Sequence, residues 1–243
     1  MIAKLLTNHR FSDEPRRAID KVFLGIGGAG REAVRVAYLQ ERAFYGKACP
    51  FSLVGEIDLC ADTGRAIEPT FVPDDPGALH RLILPGVNCR ALVEAHGGNH
   101  HFGMWTYVDP EQIQSVDDTA KLGGYACPQV ARAVEELYVS MLDEFLRLMV
   151  RQIDLMRRTP VPGWERAGGP LHVFGFASQN GAVGSTALHI VDRLAARLTP
   201  PFRIVFVPLL LADQGRVTDR AVAAALQHAG LTEIQQRARG RHE

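Results

Sequence analysis

Two runs of small residues in this chain have the composition and spacing needed to hold a phosphate. The first is Gly25-Ile26-Gly27-Gly28-Ala29-Gly30 and the second is Asn180-Gly181-Ala182-Val183-Gly184-Ser185-Thr186. Glycine lets a backbone turn sharply and approach a ligand with no Cβ in the way. Each run follows an apolar segment and leads into apolar residues at helical spacing, so each reads as strand, turn and helix. A helix opening on such a turn aims its N–H groups and the positive end of its dipole at whatever lies in front of it. Ser185 and Thr186 can cap their own helix or offer hydroxyls to a phosphate. Either run alone is also ordinary tight-turn chemistry. Two of them at the carboxyl ends of parallel strands make one crevice for a di- or triphosphate.

Other reactive residues carry less. The chain has no G-x-x-x-x-G-K-[ST] and no lysine in either turn, which excludes a P-loop NTPase. Asp58 and Asp62 bracket the exit of a second strand, where they could meet a ribose or magnesium, or serve as a turn cap and a surface charge. Glu94, His96, His100 and His101 are metal-ligand types, but glycines separate them in a stretch that reads as a solvated loop, so no metal site is assigned. His80 and His189 stand alone and read as structural or solvated. Ser185 and His189 share a helix face without the G-x-S-x-G elbow of a nucleophilic serine.

The elements that must position the turns follow from the same pattern. Of 243 residues, 27 are Lys or Arg and 27 are Asp or Glu, so the basic excess of a nucleic-acid binder is missing. At 47% hydrophobic and 22% charged, the composition is that of a packed globular protein. The cysteines Cys49, Cys60, Cys89 and Cys127 form no C-x-x-C pair, which predicts reduced thiols in a cytoplasmic protein. No apolar run is long enough to predict a membrane span. Residues 1–20 read as a polar leader and 21–243 as one domain. Strands are predicted at Lys21–Leu24, Phe51–Ala61, Leu171–Ala177 and Phe202–Leu211, the last of them buried. A long amphipathic helix runs from Pro128 to Arg158, with Val130, Val134, Leu137, Met141, Phe145, Leu148 and Ile153 on its apolar face. A last helix spans Thr218–Ala238, Pro69–Leu122 reads as irregular, and Pro160–Pro170 as a surface loop. Strands alternating with helices predict an α/β, Rossmann-like three-layer domain, its mostly parallel sheet covered by helices on both faces.

Five blocks in order resemble the tubulin/FtsZ superfamily, nearest to its divergent bacterial tubulin-like members. Lys21 to Gly30 with Ala33-Val34 is similar to the first nucleotide loop, and Ala61-Asp62-Thr63-Gly64-Arg65-Ala66-Ile67 resembles the exit of the second strand. Gly123-Gly124-Tyr125-Ala126-Cys127-Pro128 resembles the loop that senses the terminal phosphate, Val173 to Ala187 the glycine-rich signature, and Ile204 to Gly215 the next strand with its ribose-side loop. Ala182, Val183 and Thr186 stand where the family has Gly, Thr and Gly.

The resemblance implies a bound GTP or GDP with Mg2+. It places Gly25, Gly27, Gly28, Ala29 and Gly30 at the α- and β-phosphates, with Asp62 beside them at the second-strand exit. Gly181, Ala182, Gly184, Ser185 and Thr186 hold the β- and γ-phosphates, Gly123 and Gly124 lie near the γ-phosphate, and Asp213 and Asp219 lie on the ribose and base side. It covers the nucleotide-binding domain alone, without the family's catalytic loop and second domain, so no catalytic residue is assigned and weak hydrolysis is expected. The implied role is a degenerate or truncated GTPase in a cytoskeletal or scaffold setting, with head-to-tail self-association or a tubulin-like partner. The alternatives are a Rossmann enzyme using NAD or ATP, such as a ThiF-type adenylating enzyme, and an interaction scaffold without nucleotide.

Overall fold

A computed structural model of the protein describes residues 15–59, 79–84, 138–178 and 183–209, with His228 and Thr232. Its centre is β2 (Lys21–Ile26), buried at every position. Around it lie β3 (Ser52–Leu59), β4 (Leu79–Leu84), β6 (Leu171–Ser178) and β7 (Phe202–Leu209). They form one five-stranded sheet in the order β4-β3-β2-β6-β7, and every pairing is parallel. Parallel neighbours need crossover helices, which cover both faces and turn the central strands into continuous apolar runs. KVFLGI is such a run.

The pleat decides which side chain meets which helix, because successive residues point to opposite faces. On one face Val22, Leu24, Ile26, Leu53, Ile57 and Val173 pack against α2 (Val139–Arg158) and α3 (Ala187–Ala195). On the other, Phe23, Val54, Phe174 and Phe176 pack against Val34 and Tyr38 of α1 (Gly27–Tyr45). The fold is therefore the expected α/β three-layer arrangement, Rossmann-like, with helices on both faces of a parallel sheet.

Four local expectations are corrected. Within the stretch read as irregular, Leu79–Leu84 forms the strand β4, from Val54↔Leu79 to Leu59↔Leu84. Its sequence, LHRLIL, puts a histidine and an arginine mid-strand, which hides the apolar pattern until the partners of those residues are known. Within the predicted loop, Trp164–Arg166 is β5, and it pairs in parallel with β1 (Arg16–Ala18), the end of the predicted leader. Three-residue strands joined across the chain have no periodicity to read. What fixes them is packing: Ala18, Cys49 and Phe51 are buried together, with the rings of Tyr45 and Phe51 5.1 and 6.1 Å from that of Trp164.

β7 is half-buried instead of buried, with Arg203 and Val205 exposed, since among the described residues it pairs on one side only, with β6. Of the predicted apolar face of α2, Phe145 and Ile153 are buried but Met141 and Leu148 are not, and Val130, Val134 and Leu137 lie outside the described residues. Met141 and Leu148 are 40% and 41% exposed, while Leu142, Phe145, Leu146, Met149, Ile153 and Met156 are buried. The helix has apolar residues on more than one side, so several stripes satisfy a 3.6-residue period and the sheet selects among them. Leu148→Gln should accordingly change stability by less than about 0.5 kcal/mol, read from the denaturant midpoint, as for other surface positions. A loss of several kcal/mol would restore Leu148 to the core.

The final predicted helix is represented by His228 and Thr232, both helical, with the Thr232 hydroxyl donating to the His228 carbonyl at 2.8 Å. Burial pushes the Cys49 thiol above its ordinary pKa, which disfavours the reactive thiolate. Among the described residues no helix is long and apolar enough to cross a membrane.

Candidate functional site

The chain builds the sheet outward from β2 to β3 and β4, then returns to the other side for β6 and β7. That reversal leaves β2 and β6 as parallel neighbours, the topological switch point at whose carboxyl ends open α/β sheets place their ligands. Ile26 pairs with Ala177, so both strands end at one level. Gly27 begins α1 directly after β2. A 3₁₀ turn, Val183–Thr186, follows β6 and leads into α3.

The glycines at this level do different work. Gly27 has φ +73°, the left-handed region, and so makes the sharp step from strand to helix. A Cβ on Gly25 would stand 2.7 Å from the Gly30 carbonyl oxygen, and one on Gly30 would stand 2.3 Å from the Phe176 carbonyl oxygen. Those two positions let α1 lie directly on β2 and β6. Gly184 approaches β6 most closely, its would-be Cβ 1.8 Å from the Ser178 oxygen. Gly28 differs from all of these, being exposed, with nothing within 4 Å of a Cβ placed there. The amino end of α1 has neither a side-chain cap bond at Ile26 nor an acidic residue in its first turn. A helix end of this kind favours a negative charge in front of it.

Gly25, Gly27, Gly28, Ala29 and Gly30 thus form one turn, with Gly184, Ser185 and Thr186 in the turn after the neighbouring strand. Thr186 occupies the cap position of α3 without a side-chain cap bond, and it is buried. Asp62, Gly123, Gly124, Gly181, Ala182, Asp213 and Asp219 lie outside the described residues, as do Glu94, His96, His100 and His101. Among the described residues no cluster of three or more His, Cys, Asp or Glu side chains could hold a metal.

One charged network escaped the sequence reading. On the α1 face of β3, Glu56 is wholly buried. It accepts hydrogen bonds from Arg35 through Nε at 2.9 Å and Nη2 at 3.3 Å, and from Arg81 Nε at 2.8 Å. Arg31 Nε lies 3.5 Å away, while Arg31 Nη1 donates to Asp58 at 2.6 Å. Burial works to raise the Glu56 carboxyl, but Arg35 and Arg81 outweigh it and hold it below the usual carboxylate range. The same hydrogen bond raises the Arg35 guanidinium. The signal was present in the sequence as Glu56 and Asp58 at alternate positions of an apolar strand, beside Arg31 and Arg35 four apart on a helix. Asp58, the carboxylate offered for ribose or magnesium, is thus tied to a guanidinium, and it is a poor cation ligand in that state.

The fold is that of a Rossmann-like α/β protein whose parallel sheet reverses its strand order between β2 and β6. The chain matches no family model, no curated protein and no solved structure.

Proposed function

We propose that the protein binds a nucleotide polyphosphate in the crevice between β2 and β6, and that this nucleotide is GTP or GDP held in the manner of the tubulin/FtsZ superfamily. One observation carries the reading. Two glycine-containing segments follow adjacent parallel strands, and among their described residues Gly28 keeps its Cβ direction open while Gly25, Gly30 and Gly184 are taken up by packing. In this reading the N–H groups of Gly27 to Gly30 take the α- and β-phosphates, and the turn at Gly184 and Ser185 takes the β- and γ-phosphates. Gly123, Gly124, Asp213 and Asp219 complete the terminal-phosphate, ribose and base contacts, and Mg2+ enters with a triphosphate. The protein then serves as a nucleotide-dependent scaffold or cytoskeletal element with head-to-tail or tubulin-like partners, and it hydrolyses its ligand slowly.

A second reading, a Rossmann enzyme using NAD or ATP, is favoured by Gly25, Gly27 and Gly30. They stand in the G-x-G-x-x-G order, with the tight turn and the helix-on-strand contact that such a fingerprint requires. Against it, Asp58 near the end of β3, where such enzymes place an acidic residue on the ribose, is occupied by Arg31.

The thermal midpoint of the protein with GTP, GDP, ATP or NAD, each with magnesium, separates these readings. A ligand at 100 times its Kd adds about 2.7 kcal/mol, a shift of several degrees. A shift with GTP and GDP alone supports the guanine reading. A shift with ATP or NAD replaces it by the second, and none with any of the four leaves a scaffold without nucleotide. Gly28→Asp should act with opposite signs: about 0.3–1 kcal/mol more stable from a carboxylate in the first helical turn, yet without the nucleotide-induced shift. A Gly28→Asp protein that still responds to nucleotide would move the phosphate site elsewhere.

A further inference from the structure

We propose that the end of the sheet opposite the glycine turns is a docking surface for an anionic lipid bilayer. Phe44 and Leu155 enter the headgroup layer there, and Lys47 and Arg158 meet the lipid phosphates. The surface lies about 20 Å from the Gly27 turn, the length of β2, and does not depend on what that turn binds.

The topology brings these residues to one end of the molecule. α1 leads into β3, and α2 leads through β5 into β6. Ser52 of β3 and His172 of β6 both pair with Lys21, the first residue of β2, so both helices finish where that strand begins. Arg166 joins the two sides, its guanidinium 4.2 Å from the Phe51 ring centre and its Nη2 donating to the Thr159 carbonyl at 2.8 Å. Each helix ends on the same pair of features. Phe44 is 61% exposed and the exposed Lys47 follows three residues later, while Leu155 is 59% exposed and the exposed Arg158 follows at the same spacing. Cations at helix ends are ordinary complements of the dipole. That role gives no reason for a large apolar side chain in solvent beside each of them.

Charge at this end is one-sided. The chain as a whole has 27 residues of each sign, yet residues 15–21, 41–52 and 154–171 hold eight Lys or Arg against four Asp or Glu. Asp20 is shared by Arg166 at 3.2 Å and Arg157 at 3.6 Å, and Glu41 is held by Lys21. Neither Lys47 nor Arg158 makes an ion pair among the described residues.

The aromatic rings favour a bilayer over a nucleic acid. Lys47 Nζ and Arg16 Cζ stand over the Trp164 ring at 5.2 and 5.8 Å from its centre. Tyr45 meets Phe44 and Trp164 edge-on, at 5.0 and 5.1 Å. The Trp164 ring is thus engaged by the protein's own cations and rings, whereas a base needs an open ring face on which to stack. Exposed apolar side chains flanked by cations, with Tyr and Trp behind them, suit the boundary between headgroups and acyl chains.

Sedimentation of the full chain with phosphatidylcholine vesicles, with and without phosphatidylserine and in the absence of nucleotide, tests this. The protein should bind the vesicles that contain phosphatidylserine, leave the neutral ones, and release as salt is raised. Each exposed cation near such a surface contributes about fivefold, so the double variant Lys47→Gln with Arg158→Gln should bind about thirtyfold more weakly. Phe44→Ser with Leu155→Ser should lose about tenfold through the apolar contact. All four positions are exposed, and melting of each variant checks its fold. Equal binding to both kinds of vesicle, binding to neither, or variants that bind as the wild type does would overturn the proposal. So would tighter binding to oligothymidylate or polyglutamate than to the vesicles, which would assign the surface to a nucleic acid or an acidic protein. None of these results bears on the nucleotide reading.

Discussion

Glu56→Gln should destabilise the protein by about 3–5 kcal/mol, the range for removing one partner of a buried ion pair. Glutamine keeps the shape of the side chain and loses its charge, so the loss reports electrostatics and not a cavity. Glu56 is wholly buried, and Arg35 and Arg81, whose side chains are 18% and 8% exposed, both point their Nε at it. Neutralising it strands those guanidiniums in a poorly solvated place, where the desolvation cost remains and the attraction is gone. The change also removes the link between α1 and the edge strand β4, because Arg35 belongs to the first and Arg81 to the second. The denaturant midpoint should fall at an unchanged slope. A loss under 1 kcal/mol would mean that solvent reaches the network.

The same residue gives the pH dependence a sign. The folded pKa of Glu56 lies below the ordinary 4.5. The unfolded chain therefore binds the proton more readily, and the stability Glu56 supplies is complete above about 4.5 and lost as pH falls through the folded value. His80 loses stability earlier on the same side. Burial lowers its pKa from the ordinary 6.5, so below that value the unfolded chain takes up a proton that the folded chain resists. Stability should fall with acid in two phases, the upper absent in His80→Leu and the lower absent in Glu56→Gln. Retention of both phases in both variants would assign the titration elsewhere.

Gly30→Ala should cost about 3 kcal/mol, at the upper end of overpacking penalties, and lower Tm by roughly 6–12 °C. The added methyl would stand 2.3 Å from the Phe176 carbonyl oxygen, a backbone atom fixed by the pairing of β6 with β2 and β7. No rotamer relieves such a contact, so α1 must lift off the sheet, and with it the turn at Gly27. Gly184→Ala should be at least as costly, its methyl 1.8 Å from the Ser178 oxygen. Gly28→Ala, two residues away and unobstructed, is the control and should be neutral or slightly stabilising, since alanine favours a helix. Equal effects at positions 28 and 30 would show that the turn is not packed as described.

The sequence by itself determined the α/β class, the strands at β2, β3, β6 and β7, and the turn at Gly25 to Gly30. Each of these rests on a local pattern: a continuous apolar run for a strand covered on both faces, or glycines where a strand passes into a helix. Tertiary structure alone decided the rest. Residues 79–84 became a strand because Arg81 falls in register beside Glu56, and 16–18 met 164–166 because Trp164 closes over Phe51 and Tyr45. The glycine run could be read, but the division of labour within it could not. Gly25, Gly28 and Gly30 are chemically identical and differ only in what stands where a Cβ would be. The Arg31, Arg35, Arg81, Glu56 and Asp58 network was likewise invisible as a unit, since its members come from α1, β3 and β4. Ion pairs are set by distance in space, and only the folding of α1 onto the sheet brings these charges within reach of one another.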